Sequence, residues 1–473
     1  MEVEEEEKRL MSMTVVVLAA GLGTRMRSKQ AKVLHRAGGL PLVEHVIRAA
    51  KAIASPERIF VVTGHQAETV EQVLATHGVG FVRQTEQKGT GHALQQCAAK
   101  ASNLDGLLTV LLGDAPLLTP ETLVRLREQQ ASSDTAGTLL STSVSDPHGY
   151  GRVVTNAHGN VTAIVEEKAC TDEQRRIREI NSGIYCFRAD LLWKHLGELH
   201  PNPASGEIYL TDMFEILTKH GHRMGGMHLD DPNELLGINT RVELAEADVI
   251  LRNRKRRALM LWGVTIEQPD SVAIDMDVEI GQDTIVEPNV RILGSTTIGQ
   301  DCRIGAGAIL ESMTIASNVR IHPYSFLTQS RIAAGAEAGP FARMRANSQV
   351  DEGAQVGNFA ELKNTHLGAG AKAHHVGYLG DTTIGEKTNI GAGTIVCNYD
   401  GVKKHRTTIG SGAFVGSNST LVAPVVIGDD SYVGAGSVIT HEVPKDSLAI
   451  GRARQTIKEA WAAQRRQRNL QHK

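Results

Sequence analysis

An aliphatic residue followed by a small or acidic one recurs every six positions through the second half of this 473-residue chain. The series runs Ile280-Gly281, Val286-Glu287, Ile298-Gly299 and Ile304-Gly305, and later Val356-Gly357, Ile384-Gly385, Ile390-Gly391, Ile409-Gly410, Val415-Gly416, Ile427-Gly428 and Val433-Gly434. A six-residue period is the signature of a parallel β-helix, whose aliphatic side chains point into a narrow prism. The neighbouring residue is expected to be small because the chain turns a corner there. The register holds at six from 280 to 310, then slips to five at 315, 332, 367 and 384. Slips at multiples of three steps make one coil three hexapeptides, with a residue dropped at some corners. Between Val396 and Ile409 the step is thirteen, seven too many for one side, so the stretch around CNYDGVKKHR is expected outside the prism as a loop. Nine coils from 280 to about 444 would stack to on the order of 40 Å, at about 4.8 Å per rung. Large rings do not fit such an interior, and aromatics are only 4% of the chain while glycines number 47.

The first half has a different pattern. From Thr14 to about Asn239, short aliphatic runs (TVVVLAAG, RIFVVTG, GLLTVLLGD) alternate with helical stretches near 41–54 and 67–77. That alternation predicts an α/β domain with a mainly parallel, Rossmann-like sheet flanked by helices. Over 241–262, Leu244, Ala247, Leu251, Ala258 and Leu259 fall at helical spacing beside a basic cluster at 252–257, which reads as the solvated face of a linker helix. The expected organisation is a disordered acidic leader at 1–13, an α/β domain at 14–241, a linker helix at 242–262, and a β-helix with a C-terminal tail at 263–473.

Composition removes several classes. Fifty Lys and Arg against 53 Asp and Glu leave a net charge of −3, so no basic footprint for nucleic acid is expected. The five cysteines are scattered, with no CxxC pair, which fits neither a disulfide framework nor a cysteine zinc site and points to a reducing compartment. Apolar runs fall well short of the roughly 20 residues of a membrane span, and the acidic N-terminus lacks a signal-peptide core. A cytoplasmic protein is expected.

The first βα turn reads Leu18-Ala19-Ala20-Gly21-Leu22-Gly23-Thr24-Arg25-Met26. Glycines there let backbone N–H groups close around phosphate oxygens at a helix start, and Arg25 adds charge. The same turn also serves plain packing, and its spacing is that of neither GxGxxG nor a Walker A loop. Lys32 follows, and LLGD ends a strand with Asp114, where open α/β sheets bind ligands and a carboxylate suits Mg²⁺. Taken singly, Asp114 also reads as a helix cap before Pro116 and Lys32 as a solvated lysine.

Together, LAAGxGTRM, KVLH, QxGTGHA at 87–93, GDAPL, GYGR, EINSGIY and GIN resemble the sugar-phosphate nucleotidyltransferase family over the whole segment. EINSGIY with GEIYLTD narrows the resemblance to uridylyltransferases acting on N-acetylglucosamine 1-phosphate. It implies that Leu18, Ala19, Ala20, Gly21, Gln84, Gly89 and Thr90 bind the uracil and ribose of UTP, with Leu112 and Gly113 beside them. Arg25 and Lys32 would hold the phosphates as catalytic groups, Asp114 and Asn239 would hold Mg²⁺, and Gly151, Glu166 and Asn181 would contact the sugar. Ala31 stands where the family usually has proline, which is expected to loosen the lysine loop and raise the KM for nucleotide. Such a site needs no nucleophilic side chain. The sugar phosphate attacks the α-phosphorus of UTP and pyrophosphate leaves, so alignment and charge neutralisation suffice.

Within the repeats, polar or bulky residues stand where spacers would do: Arg345, Lys363, His375, Tyr378, Asn389, Asn398 and Tyr399. Arg345 to Lys363 is one coil and His375 lies two sides further, so these groups are expected to converge on one edge. Two cations and an imidazole suit a phosphorylated amine, the cations binding phosphate and the imidazole taking a proton from the ammonium. A lone exposed histidine is also commonly just solvated, and a metal reading of His374-His375 is poor because neighbours on a strand face opposite ways.

VGNFAELKNT, HVGYLGD, NIGAGTIVCNYDG and FVGSNSTLVAPV look like the acetyltransferase half of the bifunctional enzymes that make UDP-N-acetylglucosamine. That resemblance covers about 263–454 and, with the first domain, nearly the whole chain. It implies a left-handed β-helix and His375 as general base. Arg345, Lys363, Tyr378, Asn389, Asn398 and Tyr399 would bind glucosamine 1-phosphate or organise its site, and Ala392, Ser417, Ala435 and Arg452 would contact acetyl-CoA. It further implies a homotrimer, with products serving peptidoglycan and lipopolysaccharide precursors. Cys397 beside Asn398 is read as a bystander in direct acetyl transfer. Two rivals keep only one activity, treating the prism as a regulatory module or as a trimerisation module. The family's single-activity cousins have shorter prisms without the Arg345, Lys363 and His375 set. A third rival, an acyltransferase of lipid A synthesis, leaves the first 240 residues unexplained.

Overall fold

The computed structural model describes residues 12–203 and 205–471; most of the expected leader, residues 1–11, lies outside the described residues. The chain divides into two compact units between Arg254 and Lys255, inside the helix Arg241–Trp262. No helix among the described residues is long and apolar enough to cross a membrane. All five cysteines are free thiols, four buried and Cys397 exposed.

The first unit is built on strands β1 (Met13–Ala19), β2 (Ile59–Thr63), β3 (Gly80–Arg83), β4 (Leu107–Leu112), β5 (Gly137–Ser143), β6 (Arg152–Thr155), β7 (Val161–Val165), β8 (Glu179–Arg188) and β9 (Met224–Leu229). Their order is β9-β5-β8-β4-β1-β2-β3, with the β6–β7 hairpin attached to β8. β1 runs parallel to β2 and β4, while β8 is antiparallel to β4 and β5. Helices cover both faces, which is why β1 and β4 read as unbroken aliphatic runs rather than alternating ones. Val15 and Val17 enter one core and Val16 the other, all fully buried. The chain leaves β1 toward β2 and β3 and returns on its other side at β4. The carboxyl ends of β1 and β4 therefore bound the crevice of a topological switch point.

The second unit is a left-handed parallel β-helix. Among the described residues its three faces hold 11, 10 and 9 strands, face 1 opening with Thr265–Ile266, face 2 with Ala273–Ile274 and face 3 with Glu279–Ile280. The prism thus begins two strands before Ile280, the first repeat counted in the sequence, and inside the boundary expected at 263. All four five-residue steps enter face 3, and each drops its residue at a corner where Ser312, Gln329, Asn364 or Asp381 takes a left-handed φ of 45–51°. The long step is an external loop at 398–406, closed by a bridge between Tyr399 and Lys404.

The small residue after each buried aliphatic has a different cause from the one expected. Gly281, Gly299, Gly305 and Gly357 are not among the glycines with a left-handed φ, which the chain places further along each corner, at Asp283, Asn289 and Asp301 among others. What excludes a side chain is the next coil, since a Cβ on Gly281 would come 2.5 Å from the backbone N of Gln300. At Gly357 it would land on the carbonyl oxygen of His374. Gly357→Ala is therefore expected to destabilise the β-helix by about 1–3 kcal/mol, read as a lowered denaturation midpoint. An unchanged midpoint would show that this corner yields.

Candidate functional sites

In the first unit, the 18–24 turn leaves β1 over a cavity of about 460 Å³. Leu18, Ala19, Ala20 and Gly21 line one side, Leu112 and Asp114 another, and Gln84, Gly89 and Thr90 a third, with Lys32 at the rim. Gly89 starts the helix Thr90–Ala101 at a φ of 100°, and a Cβ there would come 2.5 Å from the carbonyl oxygen of Ile208. That closeness lets the 207–211 segment dock: the Gly91 N–H donates to the Ile208 carbonyl at 2.8 Å and the Leu210 N–H to the Thr90 hydroxyl at 3.1 Å. Glu207 and Tyr209 join the lining in consequence, and Gln87 lines it from beside Gln84, to whose carbonyl it donates at 3.2 Å. The motif of Glu207 and Tyr209 was legible in the sequence, but its part in the pocket rests on this long-range pairing. Gly113 lies beneath, its N–H donating to the Leu18 carbonyl at 2.9 Å.

Lys32 is the centre of the polar end. Its ammonium is ion-paired with Asp114 and donates to the Asn239 side-chain oxygen at 3.1 Å, while Arg25 donates to that same oxygen at 2.8 Å. Asn239 is fixed by a capping box: Glu243 accepts from the N–H groups of Asn239 and Thr240, and the Thr240 hydroxyl accepts from the Glu243 N–H. Gly23, at a φ of 61°, packs so closely on Lys32 that a Cβ would come 2.6 Å from the lysine Cβ. Ala31 makes a contact that a proline would forbid. Its N–H, which a proline would lack, donates to Gln66 Oε1 at 2.8 Å, and Gln66 in turn donates to the Lys29 carbonyl at 2.6 Å.

Gly151, Glu166 and Asn181 form a neighbouring group. The Gly151 carbonyl accepts from the Asn181 N–H at 2.9 Å, and a Cβ on Gly151 would lie 3.7 Å from Glu166 Oε1. Asn181 sits at the register shift between β8 and β5, where a bulge re-aims a side chain, and its amide donates to the Tyr185 hydroxyl at 2.9 Å. Burial pushes the Glu166 carboxyl above the usual carboxylate range.

In the second unit, Arg345, Lys363 and Gly380 pair in consecutive coils at one end of face 2. Tyr378 and Asn398 flank Gly380, where a Cβ would meet the tyrosine hydroxyl and the asparagine amide at 2.5 and 2.7 Å. Asn398 and Asn364 both donate to Asp381. Burial works against ionisation of Asp381, but the two amides and the nearby Lys363 and Lys404 outweigh it and hold its carboxyl below the usual range. The external loop delivers Lys404 against Lys363, which pulls the Lys404 pKa below the ordinary lysine value. Asp400 shapes that loop by accepting from the Val402 and Lys403 N–H groups at 2.7 and 2.6 Å. Tyr399 is exposed on it. Neither Lys404 nor Asp381 was singled out in the sequence; Lys404 reaches the site because the loop closes on itself through the Tyr399–Lys404 bridge and the His405 N–H donating to the Asn398 carbonyl at 2.8 Å.

His375 stands at the other end of face 2. It follows Ala373 by two, as Ala392, Ser417 and Ala435 follow Ile390, Val415 and Val433, and these face 1 strands are in parallel register. The four residues therefore form one column along the corner leading into face 2, and Arg452 lies just past the next strand, Leu448–Ala449. The expected single edge is thus two edges of one face. Lys363 to His375 is two sides of a three-sided coil, which returns the chain to the near corner of face 2, with Tyr378 between. Asn389 lies on face 1 between Lys372 and Phe414, apart from the face 2 group.

The MobA-like NTP transferase domain family matches residues 15–180, and the bacterial transferase hexapeptide family, with six repeats, matches 277–312 and 406–441. A bifunctional protein GlmU from Solibacter usitatus is 57% identical over 454 residues, 96% of this chain and 97% of the relative. Proteins of the same name from Koribacter versatilis and a Nostoc species are each 47% identical, over 96% and 94% of this chain and 97% and 98% of their own lengths. With both units matched and nearly the full length aligned, the chain belongs to the family of the bifunctional protein GlmU.

Proposed function

We propose that the two sites divide two consecutive reactions between the units. The protein is a bifunctional transferase: the β-helix acetylates glucosamine 1-phosphate from acetyl-CoA, and the first unit joins the resulting N-acetylglucosamine 1-phosphate to UTP, giving UDP-N-acetylglucosamine and pyrophosphate. The observation that carries this reading is that each unit gathers its own cations, Arg25 and Lys32 at Asn239, and Lys363 and Lys404 around Asp381, with Arg345 ion-paired to Glu361 in strand register beside Lys363.

In the first unit, Leu18, Ala19, Ala20, Gly21, Gln84, Gly89 and Thr90 enclose the nucleoside, and Gly151, Glu166 and Asn181 meet the sugar. The Asp114 carboxylate and the Asn239 side-chain oxygen both face one positive centre, the Lys32 ammonium. Two hard oxygen donors around one cation fit Mg²⁺, which keeps its other positions for water and phosphate. Bound there, Mg²⁺ supplies charge neutralisation for the triphosphate. Arg25 and Lys32 align the two anions, so that a phosphate oxygen of the sugar attacks the α-phosphorus in line while pyrophosphate departs.

In the second unit, Arg345, Lys363 and Lys404 hold the phosphate of glucosamine 1-phosphate, and Tyr378, Asn398 and Tyr399 frame its sugar. His375 takes the proton from the ammonium, freeing the amine lone pair to attack the thioester carbonyl. Ala392, Ser417 and Ala435 leave a narrow shelf for acetyl-CoA along the same corner, with Arg452 at its end for a CoA phosphate. On one chain the imidazole and the cations bound opposite edges of a face, and Asn389 faces elsewhere. A neighbouring prism laid on face 2, as in a homotrimer, completes the pocket.

Lys404→Ala is expected to raise the KM for glucosamine 1-phosphate by roughly tenfold or more, through a lost charge-assisted phosphate contact, and to leave uridylyl transfer unchanged. Steady-state kinetics of both half-reactions check this. An unaltered KM removes Lys404 from the phosphate site.

A further inference from the structure

One group of metal-ligating side chains in the first unit lies outside both reactions. His195 ends the helix Ala189–His195, Glu198 closes the following turn Leu196–Glu198, and His220 is the C-cap of the helix Asp212–Lys219. We propose that His195, Glu198 and His220 form a site for a borderline divalent cation of the Zn²⁺ type, tying these two helices together.

The geometry carries it. Both imidazoles turn to one carboxylate: His195 Nδ1 is 2.7 Å from Glu198 Oε1, and His220 Nε2 is 2.9 Å from Glu198 Oε2. The rings lie 4.1 Å apart between centroids, tilted by 36°, and one ligand atom from each of the three residues lies within 4.8 Å of the others. Two separate elements thus aim two nitrogens and a carboxylate at a common point.

The donor set selects the ion. Two imidazole nitrogens and a carboxylate oxygen suit Zn²⁺ and its neighbours, whereas Mg²⁺ and Ca²⁺ prefer oxygen alone. With bonds of about 2.0–2.1 Å, ligand atoms around a tetrahedral ion stand about 3.3 Å apart, so each His–Glu contact opens by about half an ångström and the two imidazole nitrogens, within 4.8 Å of each other, settle to that spacing. The side chains allow this: His195 is a fixed wall at 5% exposure, while Glu198 and His220 are 47% and 44% exposed and free to adjust. That exposure also admits a hydrated ion and leaves a position for water. The ring centroid of His222 is 6.2 Å from that of His195.

The consequence is a clip at one end of the helix Asp212–Lys219, whose other end follows the 207–211 segment on the nucleotide cavity. This site shares no residue with Lys32, Asp114 or Asn239.

The test uses the full chain, stripped with chelator and dialysed, then titrated with Zn²⁺ alone by calorimetry and with Co²⁺ by visible absorption. Glu198→Gln and His220→Ala alter exposed side chains, and circular dichroism in chelator confirms that both variants are folded. The expected result is one tight equivalent of Zn²⁺ in the parent chain, weakened at least tenfold in each variant. Co²⁺ should give a low-symmetry d–d band in the parent alone. Saturating Zn²⁺ should raise the apparent Tm by roughly 2–4 °C in the parent and not in the variants. Equal Zn²⁺ binding by parent and variants, or no stoichiometric binding by the parent, would overturn the proposal.

Discussion

Replacing His375 by alanine is expected to lower the turnover of acetyl transfer by about 10²–10⁴-fold and to leave uridylyl transfer at its parent rate. The side chain is exposed on its corner, so its removal opens no cavity and costs the prism little. In the proposed reaction, what disappears is the imidazole assigned to take a proton from the substrate ammonium, an expected loss of about 3–5 kcal/mol in transition-state stabilisation. His374 does not substitute. Its Nε2 is engaged by Gln355, and burial, followed by Lys372 and His375, holds it below the usual imidazole value. Acetylation by His375→Ala within a few-fold of the parent would assign the proton to another group.

The second large effect falls on the other unit. Asp114→Ala is expected to reduce uridylyl transfer by about 10²–10³-fold, the scale of losing one preorganised charge at a reacting phosphate, with acetyl transfer unchanged. Asp114 is the carboxylate of the oxygen pair and the partner that orients the Lys32 ammonium. Its backbone carbonyl accepts the Ile238 N–H at 2.9 Å whatever the side chain is, so the turn that carries Asn239 keeps its anchor. Separate assay of the two half-reactions checks this, and equal losses in both would point to unfolding rather than to the site.

Much of this architecture was legible because its causes are local. In the prism, each buried aliphatic and each small neighbour answers to the coil beside it, so the period, the short corners entering face 3 and the ejected loop can all be read along one strand of letters. The strands Thr265–Ile266 and Ala273–Ile274 lie inside the boundary expected at 263, but the repeat count began only at Ile280, because Ile266 and Ile274 are eight residues apart rather than six. The α/β unit was legible from fully apolar strands ending in polar turns. What could not be read are groups whose meeting depends on distant backbone. Lys404 reaches Lys363 because the loop closes on itself, and Gln66 secures Ala31 from 35 residues away. The two edges of face 2 were merged into one because spacing in sequence gives the side of a coil but not which end of that side a residue occupies.

The central claim is that one chain holds two independent sites working in sequence. The most direct measurement mixes the purified His375→Ala and Asp114→Ala proteins with glucosamine 1-phosphate, acetyl-CoA, UTP and Mg²⁺ and follows CoA, pyrophosphate and UDP-N-acetylglucosamine. Each variant alone should make essentially no UDP-N-acetylglucosamine, and the mixture should restore its synthesis as the acetylated intermediate passes through solution. A mixture that stays inactive although each variant retains its other half-reaction, or His375→Ala alone releasing pyrophosphate from glucosamine 1-phosphate and UTP at the parent rate, would contradict it.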